Sequence, residues 1–271
     1  MATVAQTQDL QGKVAIVTGA TRGIGRGIAL HLASRGAHIL GTCSSPTSLP
    51  YIASLVDEVA ALHHPNPPPQ VHGVVANLLD AAAPAAIRTA LRAHFDGRVH
   101  ILVNNAALAT VTPLETASRE RVEAFMTSNV VFPIMLLQAL LSHLQPHSRV
   151  INILSEVTHV VTRDASIYAA TKAALACLTR FWSEELGRRP GAEGTTCNGV
   201  IPPATRTELW QTIPDELRLS LESTTVRGMH FGDDIAEITD IVPAVGFLAG
   251  AGSQFMTGTV MDMTGGRALV R

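Results

Sequence analysis

Tyr168 and Lys172 are the two side chains whose types and spacing most clearly allow proton chemistry. They stand four residues apart in Tyr168-x-x-x-Lys172, and residues four apart share one face of an α-helix, so a helix here brings the ammonium group near the phenol. A neighbouring cation favours the phenolate and is expected to lower a phenol pKa that is ordinarily about 10. The pair therefore predicts a proton donor or acceptor that works near neutral pH.

Ser155 lies thirteen residues before Tyr168, directly after the apolar run Val150–Leu154. A continuous apolar run predicts a buried strand, and open α/β sheets bind ligands beyond the carboxyl ends of their strands. We therefore expect the Ser155 hydroxyl to hold a substrate carbonyl oxygen beside the Tyr168 phenol.

A glycine-rich turn follows the first apolar run, Val14–Thr18, and leads into the helical pattern Ile24–Ser34. Its sequence is GATRGIG, residues 19–25. Glycines let a chain turn tightly and let a pyrophosphate approach the amides of a helix N-terminus, where the helix dipole favours anions. Because a strand precedes the turn and a helix follows it, the pattern predicts a dinucleotide site rather than a turn without a ligand.

The second predicted strand, His38–Thr42, ends without a carboxylate. NAD sites place an acidic residue there to bind the adenosine ribose hydroxyls, but no Asp or Glu occurs between residues 10 and 56. The strand leads instead into Cys43, Ser44 and Ser45, and Arg22 adds a cation within the glycine turn. A cation and small hydroxyls suit a 2′-phosphate, so we expect NADP(H) as the cofactor. The alternative is a surface arginine beside a serine-rich loop.

The elements that must position these residues alternate along the chain, as in a doubly wound sheet. Seven apolar runs predict strands at Val14–Thr18, His38–Thr42, Val71–Ala76, His100–Asn104, Val150–Leu154, Thr196–Ile201 and Thr259–Met263. Helical patterns between them include Ile24–Ser34, Ala82–Ala93, Arg119–Leu144 and Ser166–Leu186. We predict one Rossmann-type α/β domain over residues 1–271, with about seven parallel strands and helices on both faces. The proline-rich stretch His63–Gln70 is expected to be an exposed connection.

The composition excludes several functions. The chain has 271 residues, of which 46% are hydrophobic and 15% charged, and a formal charge of −2, so neither a disordered chain nor a binder of nucleic acid or anionic membranes is expected. Three unclustered cysteines indicate free thiols in a reducing compartment. No metal site is expected, because the best histidine pair, His143 and His147, has Pro146 between its members and no third ligand nearby.

Targeting signals are not visible. The segment Met1–Gln11 has neither a charged start nor an apolar stretch, so no signal peptide is expected. The most apolar segment, Val130–Leu144, is interrupted by proline and polar residues and is typical of a core helix rather than a membrane span. We expect a cytoplasmic protein that is not bound to a membrane.

With these residues in place, the chain resembles the short-chain dehydrogenase/reductase family over essentially its whole length. Four family motifs occur in order: Thr18-Gly19-x-x-x-Gly23-x-Gly25, Asn104-Asn105-Ala106-Ala107, Ser155 and Tyr168-x-x-x-Lys172. The glycine turn and the non-acidic second strand are most similar to NADPH-dependent ketoreductases of fungal polyketide pathways, such as polyhydroxynaphthalene reductases. The short Tyr–Lys interval argues against the enoyl-reductase branch.

The resemblance implies a role for each matched residue. Tyr168 would be the general acid/base, and Lys172 would lower its pKa and bind the nicotinamide ribose. Ser155 would orient the carbonyl group, and Asn129 would hold a water in a proton relay. The implied cofactor-binding residues are Gly19, Thr21, Arg22, Gly23, Ile24, Gly25, Cys43, Ser44, Ser45, Asn77, Asn104, Ala106, Tyr168, Lys172, Pro202, Thr205 and Thr207.

The sequence departs from the family pattern at two positions. Asn77 replaces a common adenine-binding aspartate, and its amide can still form hydrogen bonds. Pro203 replaces the glycine usual after Pro202 and is expected to stiffen the entry to the substrate loop. Between Ser155 and Tyr168, the charged residues Glu156, Arg163 and Asp164 are expected to be solvated.

The segment Arg206–Gly232 corresponds to the family's substrate loop, and its apolar residues allow two interpretations. They form either a lid over a bulky apolar or aromatic substrate or a surface that packs onto the domain itself. The residues are Leu209, Trp210, Ile213, Leu217, Val226, Met229 and Phe231.

The function that the sequence predicts is a reductase that transfers hydride from NADPH to the carbonyl of a bulky apolar or aromatic small molecule, with Tyr168 as proton donor. A role in secondary metabolism fits the resemblance. Two alternatives stay open: a non-redox isomerase, dehydratase or cyclase on the same scaffold, and a nucleotide-binding regulator without turnover. The resemblance and the apolar helices also predict a homodimer or homotetramer.

Overall fold

A computed structural model of the chain describes residues 8–62, 68–211, 213, 215–230 and 235–267. The strands are β1 (Val14–Val17), β2 (His38–Cys43), β3 (Val71–Val75), β4 (Val99–Asn104), β5 (Leu144–Ile153), β6 (Thr196–Ile201) and β7 (Val260–Asp262). The helices are α1 (Gly23–Ser34), α2 (Leu49–Ala61), α3 (Ala83–Phe95), α4 (Arg119–Met126), α5 (Phe132–Leu140), α6 (Ser166–Gly187), α7 (Glu208–Gln211), α8 (Asp215–Gly228) and α9 (Ile238–Ala249).

The seven strands form one parallel sheet in the order β3-β2-β1-β4-β5-β6-β7. The prediction of a doubly wound α/β sheet is therefore confirmed. The strand order reverses between β1 and β4, and a crevice opens at such a switch point beyond the carboxyl ends of the strands. The glycine turn follows β1, the Asn104 motif ends β4, and Ser155 follows β5, so the topology brings all three to one edge.

Helices cover both faces of the sheet, each over its own apolar core. One face buries α1, α2 and α9, through residues such as Ile28, Leu55 and Ile241. The other face buries α3, α5 and α6, through residues such as Leu91 and Leu136. This explains why the strands are apolar on both sides, as their continuous runs predicted.

The predicted helix Arg119–Leu144 is wrong at its C-terminal end. It comprises α4, a π-helical turn at Thr127–Val131, and α5, which ends at Leu140. Strand β5 then begins at Leu144, where it pairs with β4, rather than at Val150. Leu144 instead pairs with Val99, and Pro146, which has no N–H to donate, prevents a helix from continuing through this segment.

The stretch 119–140 is long and apolar enough to cross a membrane by length and composition alone. In the fold, however, α5 packs against α3, and the π-helical turn packs against α6. Its side chains Phe132, Leu136 and Leu140 are buried in the core. The prediction of a core helix thus agrees with the packing of this segment.

Several sequence predictions fall partly outside the described residues. These are the N-terminal segment up to residue 7, residues 63–67 of the proline-rich stretch, and Phe231 and Gly232 of the substrate loop, as well as the side chain of Leu217. Within the loop, α7 and α8 form short helices where no regular structure had been predicted.

Candidate active site

One cleft of about 490 Å³ opens at the switch point of the sheet. It runs from the glycine turn, past the ends of β2 and β4, to the start of α6 and the segment after β6. The predicted site residues that line it are Gly19, Thr21, Arg22, Gly23, Ile24, Gly25, Cys43, Ser44, Ala106, Ser155, Tyr168, Lys172, Pro202, Thr205 and Thr207. The structure therefore brings both predicted halves of the site together.

The three glycines of the turn stand where a side chain would strain the backbone or collide with it. Gly19 and Gly23 have φ values of 70° and 57°, a region that L-residues rarely adopt. A Cβ added to Gly25 would lie 2.2 Å from the Gly19 carbonyl oxygen. The amide of Gly23, at the start of α1, donates to the Glu208 carboxylate at 2.9 Å. The Glu208 carboxylate thus occupies the N-terminus of α1, where a bound pyrophosphate would have to displace it.

Thr18 and Asn105 brace the turn, although the sequence interpretation did not assign them to the site. The Thr18 hydroxyl accepts hydrogen bonds from the amides of Asn105 and Ala106 at 2.9 and 3.0 Å. The Asn105 side chain donates to the Thr18 carbonyl at 2.8 Å. Both residues stand within the quoted family motifs, which was the available signal. They hold the end of β4 against the end of β1.

The glycine turn presents a cation to the cleft, and the end of β2 presents a hydroxyl. Arg22 and Ser44 are exposed and line it. Cys43 is buried, its thiol facing the carbonyls of Ser45 and Val74, and burial raises its pKa. Ser45 bonds to neighbouring hydroxyls and does not line the cleft. Of the residues predicted to bind the 2′-phosphate, Arg22 and Ser44 have exposed side chains that line the cleft.

Tyr168, Lys172 and Ser155 meet at the opposite end. The Tyr168 hydroxyl hydrogen-bonds to the Ser155 side chain. The Lys172 ammonium donates to the carbonyl of Ile153, the last residue of β5, at 2.7 Å. It lies 5.8 Å from the centroid of the Tyr168 ring. The helical spacing thus puts cation and phenol on one face of α6, as predicted.

The pKa values of this pair differ from the sequence expectation. Burial raises the pKa of Tyr168 to about 12, and the hydrogen bond with Ser155 lowers it only in part. Burial also lowers the pKa of Lys172 to about 8. The expected lowering of the phenol pKa is not seen, because desolvation of the buried phenolate outweighs the stabilising contacts. In this structure Tyr168 therefore holds its proton at neutral pH.

Three predicted asparagines stand outside the cleft lining. Asn129, in the π-helical turn, is buried and fully engaged: it accepts from Leu108 N and donates to Leu108 O and the Thr171 hydroxyl. Asn104 is buried and donates to Asn152 at 2.8 Å. Asn77 accepts from the Leu79 amide. The Asn104 bond joins β4 to β5, and the bonds of Asn129 and Asn77 fasten segments beside the site.

The expectation that Glu156 is solvated is wrong. Its side chain is buried and forms an ion pair with Arg267 at 2.5 Å. By contrast, Arg163 is exposed and lies 3.7 Å from the Asp164 carboxylate. Arg267 is 111 positions away in sequence, so no local pattern could reveal the pairing.

The segment after β6 closes the remaining side of the cleft. Pro202 and Pro203 are buried at its base, and Leu209, Trp210 and Ile213 add apolar surface. Loop side chains therefore face the cleft, which favours the lid interpretation over packing onto the domain alone. Trp210 fits both interpretations, because it lines the cleft and, at 7% exposed, is also packed onto the domain.

Comparisons with known proteins agree with this geometry. A family model described as "Enoyl-(Acyl carrier protein) reductase" matches residues 19–268. The chain is 34% identical to the short-chain dehydrogenase/reductase FrzI of Cladobotryum sp., over 96% of this chain and 98% of that protein. It is 30% identical to the 3-oxoacyl-[acyl-carrier-protein] reductase FabG of Escherichia coli, over 97% and 100%.

A solved structure is also similar to this chain over nearly its whole length. The angucycline C-6 ketoreductase LanV with bound NADP superposes with a TM-score of 0.85 at 28% identity, covering 98% of this chain and 99% of that one. Of these relatives, FabG is named as a 3-oxoacyl reductase and LanV as a ketoreductase. The chain belongs to the short-chain dehydrogenase/reductase family and is an oxidoreductase that acts on carbonyl or hydroxyl groups.

Proposed function

We propose that this chain is an NADPH-dependent ketone reductase whose proton donor is Tyr168. The observation that carries the proposal is one cleft that has a glycine turn at one end and the half-buried Ser155 and Tyr168 with the buried Lys172 at the other. A nucleotide-binding regulator has no need of a proton donor at the end of its cleft. The family places such a group beside the carbonyl that is reduced.

NADP(H) is the cofactor. When bound, NADPH supplies the two electrons of the reduction as a hydride to the carbonyl carbon. Its pyrophosphate would be held by the amides at residues 23–25, and its 2′-phosphate by Arg22 and Ser44. LanV, a relative of known structure, was solved with NADP bound.

Tyr168 and Ser155 act on the carbonyl oxygen. The Tyr168 O–H gives its proton to that oxygen as the carbonyl carbon is reduced, so the ketone becomes an alcohol and the phenolate is reprotonated from solvent. Its raised pKa keeps the proton in place until the transfer. Ser155 holds the same oxygen by a hydrogen bond. Lys172 would bind the nicotinamide ribose and stabilise the transient phenolate.

The substrate is a bulky, largely apolar or aromatic ketone. The support is the apolar wall of Leu209, Trp210 and Ile213, which faces the cleft beside Pro203. Such walls bind apolar ligands and leave orientation to a few polar groups. LanV is named for its action on an angucycline, and this relative favours a role in secondary metabolism.

The protein works in the cytoplasm as a homodimer or homotetramer, with residues 1–271 as one domain and residues 206–232 as its substrate loop. Apolar side chains of the helical stretch 119–140 and of α6 are exposed, among them Val131, Ile134, Met135 and Phe181. Contacts between copies would cover them. Three free thiols suit a reducing compartment.

The test is stoichiometry. The purified protein is mixed with NADPH and a panel of cyclic and aromatic ketones that includes 2-tetralone, and both NADP⁺ and alcohol are quantified. One alcohol per NADPH is expected. Product formed without NADPH loss would support the non-redox alternative, and NADPH binding without conversion of any ketone would support the regulator.

A further inference from the structure

Glu156 is a buried carboxylate directly after Ser155. Its side chain is 8% exposed, that of its partner Arg267 is 7% exposed, and the two charged groups are 2.5 Å apart. Burial raises the pKa of the carboxyl, and Arg267 opposes that rise. Neither residue lines the cleft, and none of the steps assigned to Ser155, Tyr168 and Lys172 uses them.

The pair joins three segments that are distant in sequence. The Glu156 carboxylate accepts from the amide of Ala204 at 3.2 Å, and the Glu156 amide donates to the carbonyl of Pro202 at 3.2 Å. Both bonds fix the segment that follows β6. Arg267 follows β7, and its side chain lies against Gly228 at the end of α8. Glu156 thus ties the end of β5 to both ends of the substrate loop.

Stability alone explains this arrangement poorly. Removing two charges from water costs free energy that their attraction rarely exceeds, and apolar replacements of buried pairs are often as stable. The second carboxylate oxygen of Glu156 is buried without a hydrogen-bond partner among the described residues, which adds to the cost. The segment that the pair does hold includes Pro202 and Pro203, which line the catalytic end of the cleft.

We propose that Glu156, paired with Arg267, is a positioning residue that fixes the Pro202–Ala204 segment against Ser155 and so shapes the half of the cleft that receives the nicotinamide. The inference rests on the proposed function for its catalytic consequence. Its consequence for cofactor binding stands apart from any choice of ketone.

The test replaces the pair while preserving volume. E156M/R267M removes both charges and the acceptor for the Ala204 amide, whereas E156Q/R267M keeps an oxygen acceptor there. E123Q/R119M, which removes an exposed pair on α4, is the control. Dissociation constants are measured for NADPH and for adenosine 2′,5′-bisphosphate, which lacks the nicotinamide half, and kcat is measured with 2-tetralone.

We expect E156M/R267M to weaken NADPH about tenfold, to leave the bisphosphate within about twofold, and to lower kcat about tenfold or more, because small displacements at a reacting centre have large effects. E156Q/R267M should restore both quantities to within about threefold, and the control should match wild type. E156L/R267M replaces E156M/R267M if the latter does not fold.

Equal weakening of both nucleotides would mean a general structural role and would overturn the proposal, as would unchanged affinity and kcat in a folded apolar variant. A wild type that binds NADPH but does not reduce 2-tetralone counts against the proposed substrate class. In that case the ratio of the two affinities still decides the role of Glu156.

Discussion

The two ends of the cleft are built by opposite means. At the glycine end the contacts come from backbone amides, and the side chains that reach the cleft, Arg22 and Ser44, are exposed. At the catalytic end Lys172 is 3% exposed, Glu156 behind the cleft is 6% exposed, and Ser155 and Tyr168 are half-buried. The glycine end can therefore bind a ligand without burying charged side chains. The catalytic end holds desolvated groups that lower the free energy of unfolding.

The same cause acts on both members of the catalytic pair. Burial moves the pKa of Tyr168 up to about 12 and that of Lys172 down to about 8, so each shift favours the neutral form. Strongly perturbed groups that face a cleft are typical of functional sites. We therefore expect changes at the catalytic end to lower activity without a matching loss of stability. Changes at the glycine end should alter cofactor binding.

The largest effect is expected for Tyr168→Phe. It removes the proton donor and leaves the ring in place, so kcat should fall by about 10²-fold or more, while the dissociation constant for NADPH stays near that of wild type. Single-turnover oxidation of NADPH and a fluorescence titration measure the two quantities. Activity within a few-fold of wild type would remove Tyr168 from the mechanism.

Lys172→Met should raise stability while it lowers activity. The lowered pKa of about 8 against an ordinary 10.5 corresponds to about 3 kcal/mol of destabilisation at pH 7, which the variant avoids. The variant also loses the hydrogen bond to Ile153, which costs it about 1 kcal/mol of stability. A net gain of about 2 kcal/mol in the free energy of unfolding is expected, measurable by urea denaturation. A lower free energy of unfolding in the variant at pH 7 would show that the buried ammonium does not destabilise the fold.

The pH dependence follows with a definite sign. Between about pH 8 and pH 10.5 the unfolded chain keeps a proton on Lys172 that the folded chain has released, so Lys172 makes the free energy of unfolding rise with pH there relative to Lys172→Met. Burial raises the pKa values of the Cys43 and Cys197 thiols, which act in the opposite direction in both proteins. Above about pH 10 the raised pKa of Tyr168 also lowers the free energy of unfolding as the pH rises, since the unfolded phenol ionises first. Lys172→Met should lack the rise, and an identical slope in wild type and variant would contradict this assignment.

The sequence was sufficient for the features that depend on local pattern. Apolar runs predicted all seven strands, and the spacing of Tyr168 and Lys172 predicted their shared helical face. It was insufficient for groups whose partners are remote. Glu156 meets Arg267 across 111 positions, and Gly23 meets Glu208 across 185. The shift of the Tyr168 pKa was missed for the same reason, because burial comes from the whole fold.

At the glycine end, Gly25→Ala should weaken NADPH binding by about tenfold or more and also destabilise the turn. The new Cβ would meet the Gly19 carbonyl oxygen at 2.2 Å, so β1 and α1 must separate. Gly12→Ala is the control for a general effect of glycine replacement: its φ of 72° strains the backbone of the variant, but nothing lies within 4 Å of its Cβ. Equal NADPH affinity in the two variants would contradict the tight approach.

The choice of cofactor tests most directly whether selection at one end is separate from chemistry at the other. Wild type should prefer NADPH over NADH by about tenfold or more in kcat/KM, equivalent to about 1.4 kcal/mol. The double variant C43D/R22A should reverse that order with little change in kcat. The carboxylate introduced at position 43 is repelled by the carbonyls of Ser45 and Val74, which face the Cys43 thiol in the wild type. It should therefore turn to the ribose hydroxyls, while the cation beside the phosphate is gone.

Steady-state kinetics with both nucleotides, on wild type and C43D/R22A, provide the measurement. The account predicts a reversed ratio of kcat/KM with kcat preserved. A wild type that prefers NADH, or a double variant whose kcat falls together with its NADPH preference, would contradict it.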